Sequence, residues 1–448
     1  MDLRSRVAEL MPRARDELAE LVAMRSVADA RLFPREECER AAKWVLDAFA
    51  EVGFTDARLA PTADDSLAVL GSRPSGNPDA PTVLLYAHYD VQPPLDESAW
   101  RTPPFTLSEV DGRWYGRGAA DCKGNIVAHL TALRALGDDV PVNLKLVVEG
   151  SEEQGTGGLE ELIPRHVEEF RADAVLVADT GNAEPGRPAL TVSLRGMVNL
   201  VVTVETLASG LHSGMYGGAA PDALAALVAM LATLRDGAGN TRIGGLAADR
   251  DWRGQPYPPD RFRTDAGVLA GVSLLGDGDV ADMLWARPAV TILGIDCPPV
   301  LGSSAAIVPK AAARLNLRFP PGVEVADAEA AIVDHLHAAT PWGARVTVEI
   351  QASGAPFRAS TDGPAFQAMG EAMYEAYGVS PTTLGQGGSI PLTTVLADVY
   401  PDAEVLLMGV EEPHALIHAP NESVDPAELS AMALTEALFL RYYRGRTP

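Results

Sequence analysis

A chain of 448 residues is too long for one ordinary domain and long enough to bury the cores of two or three. Its net charge of −25 excludes the basic surface that non-specific nucleic-acid binding or docking on an anionic membrane requires, so a small substrate is the expected partner. No apolar run approaches the roughly 20 residues of a membrane span, and Met1-Asp2-Leu3-Arg4 lacks a signal peptide's apolar core, so a cytoplasmic protein is expected.

In chain order, residues 1–52 carry helical periodicity, with Leu10, Leu18, Leu21 and Val22 and then Trp44, Val45 and Phe49 at spacings of three and four, and predict two packing helices. Strand-like runs at residues 66–70, 82–87, 143–148 and 174–178 alternate with a helix near residues 126–136, the pattern of an α/β layered domain. The pattern then changes. Residues 190–206 read as two long neighbouring strands, followed by a helix over 220–234 and strands near 289–294, 312–319 and 345–350. A helix over 328–338, with Asp327 as N-cap, completes a small separate domain with one open sheet. Residues 236–287 are rich in Gly, Pro and Asp and predict an insertion of loops and short helices. After about residue 357 the α/β pattern returns, through 364–377, 405–409 and 427–443. The expectation is an α/β fold in which one domain, residues 1–188 and 358–448, is interrupted by another, residues 189–357.

The chemistry-bearing residues stand where strands end. The run Val83-Leu84-Leu85-Tyr86-Ala87 leads into His88-Tyr89-Asp90, which delivers an imidazole to a sheet edge with a carboxylate two residues on to orient it. Gly116-Arg117-Gly118-Ala119-Ala120-Asp121-Cys122-Lys123-Gly124-Asn125 sets an acid in a glycine-rich loop before a helix, where a lone Asp is more often an N-cap. Val147-Val148-Glu149-Gly150-Ser151-Glu152-Glu153 ends a strand in adjacent acids. Such a pair is usually solvated surface, but at a strand end beside glycines one acid can hold a metal while the other stays free as a base. Val177-Ala178-Asp179 ends another strand in an acid, and His414-Ala415-Leu416-Ile417-His418 adds a distant imidazole. Singly, each is matched or outweighed by a structural reading; jointly they form a set of oxygen and imidazole donors that suits divalent metals. Three scattered cysteines, Cys38, Cys122 and Cys297, offer neither a disulfide framework nor a thiolate zinc site. There is no G-x-S-x-G elbow and no P-loop, and Gly155-Thr156-Gly157-Gly158 lacks the third glycine of a dinucleotide fingerprint.

These segments, with Ala87-His88-Tyr89-Asp90-Val91-Gln92-Pro93 and His212-Ser213-Gly214, resemble in order and over essentially the whole chain the M20 family of metallopeptidases, in particular its carnosinase-type dipeptidases. The resemblance implies a two-domain protein: a mixed-sheet α/β di-metal catalytic domain interrupted by an inserted α+β lid and dimerisation domain. It also implies two divalent ions per subunit, with Asp121 as the bridge, His88 and Asp179 completing one ion and Glu153 and His418 the other. Asp90 would orient His88 and Glu152 would be the general base. His212 would reach across a homodimer to an oxyanion. Arg318 would bind the substrate's terminal carboxylate, helped by Gly388 and Ser389 of the loop Gly385-Gln386-Gly387-Gly388-Ser389-Ile390-Pro391. Where many relatives carry an acid or Asn after the bridging Asp, this chain has Cys122, expected to be structural and to take the family's cis peptide if that is present.

Physical logic agrees with the assignment. Two cations about 3.5 Å apart can share a water and bring its pKa toward neutrality, leaving Glu152 to accept the proton and pass it to the leaving amine. The expected activity is hydrolysis of dipeptides or short peptides, and within the family Asp179 in place of Glu accompanies dipeptidases and aminopeptidases. The rivals are an N-acyl-amino-acid or N-carbamoyl amidohydrolase on the same site and an inactive metal-binding scaffold. Zinc is the first choice of metal, with manganese or cobalt also suited.

Overall fold

The computed structural model describes residues 2–247, 250–388 and 390–445. The chain divides into two compact units, one of Met1–Val192, Ala359–Leu384 and Pro391–Pro448, the other of Ser193–Arg358 with Gly385–Ile390. Among the described residues, no helix is long and apolar enough to cross a membrane.

The first unit is a layered α/β structure. Its sheet runs in the order Arg58–Pro61, Leu67–Arg73, Asn143–Glu149, Thr82–His88, Ala174–Ala178, Glu404–Met408 and Ala189–Leu194. The four strands in the middle are mutually parallel. They are rich in apolar residues because helices cover their faces: Val83, Leu85, Leu144, Leu146 and Leu176 pack in one cluster with Leu18, Phe49, Ile126, Leu130, Met369 and Phe439. The outer helices have local signals at their ends. Asp2 caps Leu3–Ala23 by accepting from the Ser5 N–H, and Asp425 caps Pro426–Tyr442 by accepting from the Ala427 N–H, with Pro426 at the first helical position.

Parallel strands point one way, so their C-terminal ends share one edge of the sheet, where open α/β sheets bind ligands. His88 closes the strand Thr82–His88, Glu152 and Glu153 follow Asn143–Glu149, Asp179 follows Ala174–Ala178, and Glu411 follows Glu404–Met408. That one topological fact brings together residues more than 300 positions apart.

The second unit is built on an antiparallel sheet in the order Ala289–Asp296, Lys310–Phe319, Gly196–Glu205, Arg345–Gly354. Period-two alternation sends Val198, Leu200, Val202 and Val204, with Leu315, Leu317 and Phe319, into a core shared with Leu227 and Met230 of the helix Ala223–Ala232 and Ile332 and Leu336 of Val325–Ala338. The opposite face carries Met197, Asn199, Asn316 and Arg318, all half-buried. The helix expected from 328 begins instead at Val325 after Glu324, so Asp327 is not its cap but lies in its first turn, where the helix dipole still favours an acid. The segment expected as loops and short helices contains the helix Pro259–Asp265 and a π-helical turn, Asp282–Ala286.

Candidate active site

Within the first unit, His88, Asp121, Glu153, Asp179 and His418 converge. Nε2 of His88 lies 2.9 Å from Oδ1 of Asp179 and 3.1 Å from Oδ1 of Asp121. The other oxygen of Asp121, Oδ2, lies 2.9 Å from Nε2 of His418, which is itself 3.2 Å from Oε2 of Glu153. Asp121 therefore turns its two oxygens toward two different imidazoles. It does so from the loop before the helix Lys123–Leu136; the residue at the cap position is Cys122, joined to Asp121 by a cis peptide bond, and no side chain caps that helix.

Asp90 is wholly buried, and its role is broader than ring orientation. The His88 ring, through Nδ1, is 3.0 Å from the main-chain oxygen of Asp90 and 3.4 Å from its carboxylate. That carboxylate also accepts the N–H of Glu152 at 3.2 Å and of Glu153 at 3.0 Å. One residue thus fixes the ring through its carbonyl and the acidic turn through its carboxylate. Gln92 adds a second restraint, its amide donating to Oε2 of Glu153 at 2.8 Å. His418 is held in the left-handed region, φ 62°, by a loop in which Asn421 bonds the main chain at Ala99 and Arg101. A non-glycine residue persists there only where its surroundings over-determine it.

Glu411 is a further acid that the sequence reading passed over. It sits 6% exposed, with Asp121 and Asp179 presenting ligand atoms within 4.8 Å of one another and of its own. A close approach of two chain segments puts it there: a side chain at Gly181 would meet the Glu411 carbonyl oxygen at 2.0 Å. Its neighbour Glu412 is turned away and taken by Arg113 at 2.5 Å. The signal was present, since Glu411-Glu412 follows a strand and a glycine much as Glu152-Glu153 does.

The charges in the cluster press on one another. Burial, and then Asp179, push the Glu152 carboxyl well above the usual range. Burial raises Asp179 to about 6 despite His88 beside it. Burial and then Asp121 raise Glu153 as well, and its Oε1 is buried without a hydrogen-bond partner. Asp121 and Glu153 hold His418 protonated to about 11. Concentrated acids with an orphaned carboxylate oxygen and two imidazoles fit a divalent-cation centre, and the oxygen and nitrogen donors suit zinc, manganese or cobalt. Two groupings, Asp121–Glu153–His418 and Asp121–Asp179–Glu411, share Asp121, and a third joins His88 and Asp179 to Cys122. The thiol of that third grouping, pushed up to about 12 by burial, donates to the Ala178 carbonyl at 2.8 Å. Glu152 belongs to none of these groupings.

The remaining expected residues lie in the second unit. His212 is exposed and caps the short helix Ser213–Tyr216, its Nδ1 accepting from the Gly214 N–H at 3.1 Å. Arg318, on the strand Lys310–Phe319, donates through Nε to Oδ1 of Asn316 at 3.2 Å. Gly388 is exposed, and Ser389 lies outside the described residues.

A mixed α/β fold with metal-suited donors at the C-terminal ends of parallel strands and a spare acid beside them defines a metal-dependent hydrolase. The chain belongs to peptidase family M20/M25/M40, whose model matches residues 84–442, and is a metallopeptidase. It is 45% identical over 412 residues to the cysteinylglycine-S-conjugate dipeptidase of Corynebacterium striatum, covering 90% of both chains. It is 29% identical over 398 residues to the beta-Ala-His dipeptidase of Rattus norvegicus, covering 83% of this chain and 78% of the relative. Among solved structures, human carnosine dipeptidase 1 superposes with a TM-score of 0.80 at 25% identity, covering 98% of each chain. The architecture is accordingly that of a catalytic domain interrupted by an inserted α+β domain.

Proposed function

We propose that the chain is a cytoplasmic, homodimeric dipeptidase that works with two divalent ions, zinc first. The observation that carries this reading is Asp121, whose two oxygens face His88 at 3.1 Å and His418 at 2.9 Å, the arrangement of a carboxylate between two ion positions. His88 and Asp179 would hold one ion, Glu153 and His418 the other, with Glu411 close to the first. When bound, such ions lower the pKa of a water and polarise a carbonyl. Glu152 stays free to take the proton from the attacking water and hand it to the departing amine, and its raised proton affinity suits that task. Asp90 keeps the base and the His88 ring in register through one carboxylate and one carbonyl. Arg318 binds the peptide's terminal carboxylate, with the loop at Gly388 and Ser389 contributing donors.

The names of the relatives support a dipeptide substrate, cysteinylglycine S-conjugates in one and beta-Ala-His in the other. All three cysteines are free, which agrees with a reducing compartment. His212 is an exposed residue whose Nδ1 accepts from the main chain, which leaves the proton on Nε2, able to donate to an oxyanion of a partner subunit.

The test is a panel of dipeptides, including cysteinylglycine S-conjugates and beta-Ala-His, set beside N-acyl and N-carbamoyl amino acids. Each is assayed on metal-stripped protein reconstituted with zinc, manganese or cobalt. Dipeptide cleavage restored by metal is expected; cleavage confined to the acyl or carbamoyl compounds would overturn the reading. For His212, mixing a His212→Ala chain with a Glu152→Gln chain should recover part of the activity, and no recovery would place His212 outside the chemistry.

A further inference from the structure

Among the described residues of the second unit, Arg195 and Arg318 have guanidinium nitrogens that are buried without a partner. Arg195 stands at the break between the strands Ala189–Leu194 and Gly196–Glu205; it is only 8% exposed, yet its Nε and Nη1 are buried with no hydrogen-bond partner. Arg318 is half-buried, and its Nη1 is likewise without a partner. Neither arginine has an acid within ion-pair distance among the described residues. An unpaired buried guanidinium loses its hydration without a return, so a fold keeps one only where something else offsets that cost.

The two are neighbours along the same face of the sheet. Arg318 pairs in register with Met197, two residues beyond Arg195, and Asn316 with Asn199 on the face opposite the helices. Asn316 donates to Asn199 at 2.7 Å and accepts from Nε of Arg318, which fixes that guanidinium with Nη1 still free. Arg195 donates its main-chain N–H to the Gln386 carbonyl at 3.3 Å. Its Nη2 lies so close to Gly387 that a side chain there would meet it at 2.7 Å, and Gly385 is packed as tightly on Trp285. The glycine loop, the two asparagines and Trp285 therefore hold both cations in place with N–H groups unspent. Burial, and then the charge of Arg318, lower the pKa of Arg195 to about 10.

We infer that Arg195 and Arg318 form one paired-guanidinium anion site, in which Arg195 is a further specificity-determining residue, and that it takes a carboxylate-bearing ligand and favours one carrying two carboxylates. A single carboxylate answers one guanidinium fork and leaves a buried positive charge; a second carboxylate neutralises it. Resting on the dipeptidase reading, this makes peptides with an acidic C-terminal residue the preferred substrates.

Calorimetric titration of the metal-loaded, full-length protein with succinate and with acetate, at low salt, tests the site without any turnover. Succinate is expected to bind at least tenfold more tightly than acetate, and Arg195→Gln to lose tenfold or more of the succinate affinity while keeping its circular dichroism. Carboxylate binding at the metals is common to wild type and variant and drops out of that comparison. Should Arg195→Gln fail to fold, Arg195→Met is expected to show the same loss, and Arg195→Lys, which keeps the charge but not the planar fork, to lose part of the affinity. Succinate binding indifferent to the residue at position 195 overturns the inference. Succinate held by the arginines with no peptide hydrolysed would instead sink the dipeptidase reading alone.

Discussion

Arg117 and Glu422, 305 positions apart in the chain, form a fully buried ion pair with Nη1 2.6 Å from Oε2. The same carboxylate accepts the N–H groups of Gly118 at 3.0 Å and of Ala120 and Asp121 at 3.1 Å. Glu422 thus fixes the backbone that presents Asp121 to both imidazoles. Removing one partner of a buried pair leaves the other charge uncompensated, so Glu422→Gln is expected to cost about 3–5 kcal/mol of stability. It should also weaken metal binding by freeing the loop. Urea unfolding and metal titration check both. A single variant as stable as wild type would refute the role.

The legible part of this site is local. His88, Glu152, Glu153 and Asp179 could be read because each closes an apolar strand or lies within a few residues of its end, so a short stretch carries both the element and the ligand. Asp121 and His418 were legible only jointly, as loop residues with ordinary alternatives. What escaped depends on the third dimension. Glu422 acts on a loop 300 positions away, and Arg195 shows its meaning only when its nitrogens are found buried and unpaired. Asp90 was expected to serve the His88 ring, but its carboxylate also clamps the acidic turn, a contact set by neighbouring parallel strands. The fold class followed from alternating strands and helices; the helix start at Val325 in place of 328 shows how weakly a single cap signal fixes a boundary.

Glu152 lies outside the donor groupings, and its main-chain N–H, not its carboxylate, is what Asp90 holds. Glu152→Gln should leave the metal content unchanged while lowering kcat by about 10²–10⁴-fold, the usual worth of a placed general base. Metal analysis beside steady-state kinetics separates the two effects. Loss of metal together with activity would make Glu152 a ligand and not the base.

Lys123 gives the fold a pH dependence of unusual sign. Its Nζ is fully buried and donates to the Leu21 and Met24 carbonyls at 2.9 and 2.8 Å, and burial pushes its pKa down to about 7 from 10.5. Between those values the unfolded chain holds a proton that the folded chain has released, so this residue's contribution to stability rises with pH. The cost of Lys123→Met should therefore grow between about pH 7 and pH 10. Denaturant unfolding of both proteins across that range is the check, and a pH-independent difference would show that the buried amine keeps its proton.

Among the described residues Glu411 forms no ion pair; it faces Asp121 and Asp179, and burial followed by those two acids raises its carboxyl well above the usual range. A cation among the three would relieve that repulsion, so Glu411→Gln should weaken metal binding, by about 10–100-fold if Glu411 supports the ligands from outside and by more if it binds directly. Because metal stabilises only the folded chain, chelation should lower the Tm of the wild type, by an amount that grows with the ratio of free metal to Kd. At equal free metal, the drop should be smaller in Glu411→Gln, whose sites are less filled to begin with. Charge removal alone would also relieve repulsion in the stripped protein, so that form of the variant should melt higher than stripped wild type. Equal metal affinities and equal stripped Tm values in the two proteins would show that Glu411 does not act at the centre.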